Sequence, residues 1–306
     1  MDGSRRGFLI GSGLGLASLA LAGPLRALDA AWPGLGDPDQ DRLRDWIAAL
    51  RAAELTARAA PLGTAAIRVG ELARGTPYVP YTLEEYLKAG GSPLGAEPLA
   101  LSLTRFDCVT LVESCLAVAR TARHPGADPW TQFGHEIERM RYRGGRRRGY
   151  ASRLHYFSEW ISDGARRGLV KDLGAGLGGI ADGRPLRFMT GHRSSYPALR
   201  NDRVFREIGQ MERRLDQHPR HVIPTARIPE IADHIETGDV LAFATSIPGL
   251  DVTHAAFAYR HPDGRLGVLH APLSGGVVEI ASRELPDYVA AIKRSTGILV
   301  ARPLPG

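Results

Sequence analysis

Three side chains in this sequence have the types and settings that chemistry needs. Cys108 follows Asp107 directly, at what reads as the mouth of a helix, in Phe106-Asp107-Cys108-Val109-Thr110-Leu111-Val112-Glu113. Unpaired backbone N–H groups and the positive end of a helix dipole stabilise a thiolate, and the thiolate is the attacking species. A cysteine nucleophile also needs a base and a group that orients the base. The chain has ten histidines, so their positions must select among them. His254 stands at the start of a strand-like run with small neighbours, Ala255 and Ala256, and His270 closes the next such run. Side chains at 254 and 270 share a face of a hairpin only if its loop has an odd number of residues. With three or five residues in the loop the two rings are direct or diagonal neighbours, about 5–8 Å apart. His270 could then fix the ring of His254.

The elements that must hold these residues follow from periodicity. The positions after Cys108 are apolar around most of a helix as far as Arg123, which predicts a buried central helix with Asp107 as its cap. Apolar spacing predicts further helices over 39–60, 65–72, 130–141 and 152–167, and a short helical turn at 83–87. From Thr237 the pattern changes to strands, at 239–244, 252–259, 266–270, 277–280 and 297–301. Pro262-Asp263-Gly264 marks the hairpin turn between the second and third of these. Helices first and antiparallel strands after predict an α+β fold.

Bulk composition excludes several classes. The 306 residues are 43% hydrophobic and 24% charged, enough for a substantial core. Cys108 and Cys115 lie about 10 Å apart along one helix, beyond disulfide reach, so both thiols are expected free. The net charge of +6 and pI near 9.6 raise nucleic-acid binding. No zinc-finger spacing, helix-turn-helix signature or aromatic RNA-binding pattern supports it, so no nucleic-acid partner is expected. At the start, Ser4-Arg5-Arg6-Gly7-Phe8-Leu9 is a twin-arginine pattern, and Leu9 to Ala22 is an apolar run too short to span a bilayer comfortably. Residues 1–30 therefore read as a twin-arginine signal peptide and 31–306 as one domain. The expected location is the periplasm, with no membrane insertion after signal removal.

In order along the chain, FDCVTLVESCLA (106–117), SRLHYFSEWI (152–161), MTGHRSSYPAL (189–199), TGDVLAFATSIPGLDVTHAAFA (237–258) and VLHAPLSGGVVEI (268–280) resemble the NlpC-like, papain-related cell-wall hydrolases. The closer resemblance is to their N-acetylmuramoyl-L-alanine amidase-like branch, first catalogued as domain of unknown function 1460. The resemblance implies a papain-like (NlpC-type) α+β fold, with the nucleophile helix packed on a five- to six-stranded antiparallel sheet or half-barrel. It implies hydrolysis of the amide between N-acetylmuramic acid, in the 1,6-anhydro form, and L-Ala, with anhydromuropeptides as the partners of a monomeric enzyme. Cys108 would attack, His254 would carry the proton and His270 would orient His254. The Cys108 N–H would form part of the oxyanion hole. Neither cofactor nor metal is implied, and the neighbouring His218 and His221 do not make a zinc-ligand cluster. Pro272-Leu273, where the family has small hydroxyl residues, bears on substrate detail.

The other site candidates have structural alternatives beside them. Arg153, His155 and Tyr156 could bind the substrate, or could pack a helix face. Asp107 could touch substrate, although capping is the stronger reading. The arginine-rich run 139–148 could attract carboxylate-bearing fragments, although a solvated loop is the stronger reading. Glu113 and Cys115 read as structural. Two rival functions remain open: a stem-peptide endopeptidase cutting at D-Glu, and an inactive cell-wall-binding module.

Overall fold

A computed structural model describes residues 37–273 and 276–306, and the twin-arginine signal lies outside them. Asp37–Gly306 pack as one compact unit. Apolar residues at helical spacing form α1 (Pro38–Ala52), which buries Leu43, Trp46, Ile47 and Leu50, and α2 (Leu62–Leu72). A helical turn and α3 (Glu85–Lys88) follow. α4 (Cys108–Thr121) is buried from Thr110 onward, as its continuous apolar run requires. α5 (Pro129–Arg141) and α6 (Phe157–Arg166) complete the N-terminal helical layer.

The sheet then begins earlier than the sequence pattern indicates. Short strands β1 (Val170–Asp172) and β2 (Ile180–Asp182) precede α7 (Phe188–Gly191) and α8 (Asp202–Leu215). β3 (Arg220–Pro224) and α9 (Ile228–Ile231) lead to the main run: β4 (Val240–Thr245), β5 (Val252–Arg260), β6 (Leu266–His270), β7 (Glu279–Ile280), α10 (Leu285–Ala291) and β8 (Ser295–Pro303). The order is β2-β3-β8-β4-β5-β6-β7, with β1 also on β8 and every pairing antiparallel. The fold is thus α+β on an open sheet of eight strands, which corrects the expected five or six. The three extra strands span only three to five residues and are partly exposed, so they carry little periodic signal.

Alternation along the central strands divides the core. Val240, Ala242, Ala255, Phe257 and Leu299 face the layer holding Leu111, Cys115 and Ala119 of α4. Leu241, Phe243, Ala256, Val268 and Val300 face Ile228 of α9 and Leu285 and Val289 of α10. β4 is consequently buried throughout. Small side chains on the α4 side let the helix lie close to the sheet. At Gly238 (φ +91°) the approach to α2 is closer still, since a Cβ there would stand 2.3 Å from the Gly63 backbone.

The arginine-rich run 139–148 is only partly a solvated loop: Arg146 and Arg148 are exposed, but other arginines of the run are engaged. Arg141 pairs with Glu113 at 2.7 Å in the core, Arg143 with Glu159 at 2.5 Å, and Arg147 donates to the Glu97 carbonyl. Guanidinium groups with carboxylates spaced around them staple α5 to α4 and α6.

Candidate active site

Cys108 is the first residue of α4, and its position is set by a capping box. The Asp107 carboxylate accepts the Thr110 N–H at 2.7 Å, while the Asp107 N–H donates to the Thr110 hydroxyl at 2.8 Å. Just upstream, Phe106 is tied on both sides to an extended segment, by Phe106 N–H to the Pro77 carbonyl and Val79 N–H to the Phe106 carbonyl. That segment is in turn bonded to Gly276 and Val278. The mouth of α4 is therefore laced to the end of the sheet where β6 finishes and β7 begins.

β5 pairs with β6 from Phe257↔Leu269 to Arg260↔Leu266, and β6 turns away beyond His270. The Ala255 N–H lies past the last shared rung, near enough to Cys108 to favour the ionised form of its thiol, as the N–H groups of Cys108 and Val109 also do. Ala255 is the residue after His254 on β5. The loop closes with the His261 N–H donating to the Arg265 carbonyl, leaving three residues, 262–264, at the tip. His254 and His270 are consequently diagonal neighbours on one face, their rings 5.1 Å apart and nearly perpendicular. His254 Nε2 lies 2.9 Å from His270 Nδ1. With Nε2 engaged, Nδ1 is the ring nitrogen left to His254 for the thiol.

Burial governs the charge states. It pushes the Cys108 thiol up to about 12, with Asp107 adding to the rise, and the three N–H donors offset only part of this. Burial pushes His254 down to about 3, helped by the neighbouring His270, and His270 down to about 4. Burial at this site thus opposes the thiolate-favouring effect of the helix mouth on Cys108 and favours the neutral imidazole of His254.

The remaining sequence candidates separate from this cluster. The Tyr156 ring is buried, its hydroxyl donates to Glu212 at 2.7 Å, and it accepts the Met189 N–H. Arg153 is buried over the Tyr150 ring and paired with Glu84 and, at 3.4 Å, Glu97. His155 stacks on Tyr150, and its Nε2 bonds the Tyr150 carbonyl at 2.9 Å. Asp107 spends its carboxylate on the cap. Two tyrosines absent from the sequence reading stand close to Cys108. Tyr78 lies on the segment bonded to Phe106, near enough for the Cys108 charge to raise its phenol further after burial. Tyr288 on α10 places its hydroxyl 3.1 Å from His270 Nδ1. α10 has only seven residues, and its short pattern hides it among turns.

The profile of the AmiA-like family, described as N-acetylmuramoyl-L-alanine amidase-like, matches residues 68–298, a span that includes Cys108, His254, His270 and Tyr288. The chain belongs to this family. Among solved structures, an N-acetylmuramoyl-L-alanine amidase from Bacteroides uniformis is 30% identical, with a TM-score of 0.71 over 79% of this chain and 99% of its own. A Bacteroides fragilis protein, provisionally described as a xylanase, is 32% identical, with a TM-score of 0.69 over 76% of this chain and 99% of its own. A Legionella pneumophila protein shares the fold at 19% identity, with a TM-score of 0.62 over 87% of this chain and 94% of its own. Comparison with curated proteins gave no match. In this AmiA-like chain no helix among the described residues is long and apolar enough to cross a membrane.

Proposed function

We propose that this AmiA-like chain is a papain-like cysteine amidase, exported through the twin-arginine pathway to the periplasm. Its reaction is hydrolysis of the amide joining the lactyl group of 1,6-anhydro-N-acetylmuramic acid to L-Ala in peptidoglycan fragments. One observation supports the mechanism: His254 Nε2 is held 2.9 Å from His270 Nδ1, on the strand whose Ala255 N–H influences the Cys108 thiol at the start of α4.

The chemistry starts from a neutral thiol and a neutral imidazole, the forms that burial favours. As Sγ bonds to the lactyl carbonyl carbon, the thiol proton passes to His254 Nδ1, so that thiolate and imidazolium exist only with substrate bound. Collapse of the tetrahedral intermediate breaks the C–N bond, and His254 returns the proton to the L-Ala nitrogen. Water then opens the thioester to the muramyl carboxylate, with His254 again as base. The backbone N–H groups gathered at the mouth of α4 supply donors for the oxyanion. A glycosidase reading is disfavoured, because such enzymes place two carboxylates across the scissile bond, and this cluster offers a thiol and two imidazoles.

The test is mass analysis of products from a defined anhydromuropeptide with wild-type protein and Cys108→Ala. Release of a peptide beginning with L-Ala, abolished in the variant, is the expected result. A product keeping L-Ala-D-Glu on the sugar would replace this reading with a stem-peptide endopeptidase. Equal product from Cys108→Ala would exclude the thiol mechanism, and binding without turnover by wild type would leave only a cell-wall-binding module.

A further inference from the structure

His270 has polar neighbours on both ring nitrogens: at Nε2 a carboxylate that can only accept, and at Nδ1 a hydroxyl and an imidazole that can both donate. At Nδ1 stand His254 Nε2 at 2.9 Å and the Tyr288 hydroxyl at 3.1 Å. At Nε2, which is buried and has no hydrogen-bond partner among the described residues, the Glu279 carboxylate stands 3.6 Å away. Two arrangements are possible. If Nδ1 carried the proton, Nε2 would turn its lone pair toward a carboxylate, and the proton of His254 would have to sit on Nδ1, facing the thiol. If Nε2 carries the proton, it points at Glu279, and Nδ1 becomes an acceptor with two donors at hand, the Tyr288 O–H and the His254 Nε2–H. Only the second arrangement leaves His254 with a bare Nδ1.

We propose that Tyr288 and Glu279 are positioning residues that hold His270 in its Nε2–H form and thereby make His254 Nδ1 a base. The proposal rests on the cysteine-amidase reading for its catalytic consequence, but the tautomer itself is a property of the free protein. Tyr288 is well placed for this task. Its ring packs edge-on to His270 at 5.1 Å and against Phe243 at 5.3 Å, which aims the hydroxyl, and burial keeps the phenol protonated and able to donate. Glu279 pairs in register with His270 on β7, so its position is fixed by the backbone ladder. Its side chain is 47% exposed, so solvent screens its charge and its share is the smaller one. Neither residue touches the reacting atoms, and each acts through His270.

The experiment is long-range 1H–15N NMR of the imidazoles in the full chain, with steady-state kinetics on the same samples. Wild type is expected to show His270 protonated on Nε2. Tyr288→Phe, which keeps the ring and removes only the donor, is expected to give mixed His270 and His254 tautomers. Its kcat should fall about 10- to 100-fold with KM within about two-fold, well short of the loss from a fully wrong tautomer. Glu279→Gln, a surface-facing change that spares folding, should shift the tautomers in the same direction, with a kcat loss of about 3- to 10-fold. His270 protonated on Nδ1 in wild type, or unchanged tautomers in both variants, overturns the proposal. Failure of the amidase reading looks different: Cys108→Ala would keep full turnover while the tautomers still responded to Tyr288→Phe.

Discussion

Arg141→Met removes one half of the ion pair that anchors α4 from beneath. Arg141 Nε donates to Glu113 at 2.7 Å with both side chains at most 3% exposed, and its Nη1 donates to the Ala100 carbonyl at 2.7 Å. Removing the cation leaves a carboxylate in the core, at a cost of about 3–5 kcal/mol, and orphans a part-buried carbonyl at about 1 kcal/mol more. At roughly 2–4 °C per kcal/mol for a unit of this size, the midpoint should fall by about 8–24 °C. Burial already raises the Glu113 pKa, with Arg141 the main opposing influence, so the variant raises it further. A carboxylate whose folded pKa lies above its unfolded value takes up a proton on folding. The deficit of Arg141→Met relative to wild type should therefore shrink as pH falls from 7 toward 5. The assay is calorimetry at both pH values on wild type, Arg141→Met and the double variant Glu113→Leu/Arg141→Met, which should recover most of the loss. A loss below about 1 kcal/mol in the single variant, or a double variant as unstable as the single, would show that the pair does not hold α4 as argued.

Two further perturbations address the site directly. Asp107→Asn keeps an oxygen acceptor for the Thr110 N–H but removes a charge that raises the Cys108 thiol, so alkylation by iodoacetamide should speed up at fixed pH with little change in stability. Asp107→Ala should instead cost about 1 kcal/mol through the lost cap; equal alkylation rates in wild type and Asp107→Asn would contradict the electrostatic part. His254 and His270 sit near 3 and 4, below their unfolded values, so the unfolded chain binds more protons between those values and about pH 6.5. Their contribution is complete above pH 6.5 and is lost as pH falls, by up to about 1.4 kcal/mol per unit for each ring. Urea unfolding of wild type against His254→Gln/His270→Gln between pH 7 and 5 checks this, and parallel curves would refute it.

The residues able to do chemistry were legible one by one. Asp-Cys before an apolar run marks a capped helix start, because the carboxylate has an orphan N–H to satisfy three residues on. Alternation around Val252–Arg260 and Leu266–His270, with Pro-Asp-Gly between, placed both histidines on strands, and period 2 then put them on one face once the loop was odd. Long strands and helices announce themselves because each repeats its period several times. The short β1, β2, β3 and α10 do not, and Tyr288 went unseen with them. Ion pairing was equally hidden: the arginines of 139–148 look like a solvated run until Glu113 and Glu159 arrive from other elements. By itself, then, the sequence determined the local elements and the α+β order, and it nominated Cys108, His254 and His270. Only the tertiary structure decided their neighbours and the burial that acts on their charge. Desolvation depends on everything packed around a group, which is why the pull of a helix mouth toward a thiolate is opposed here by burial.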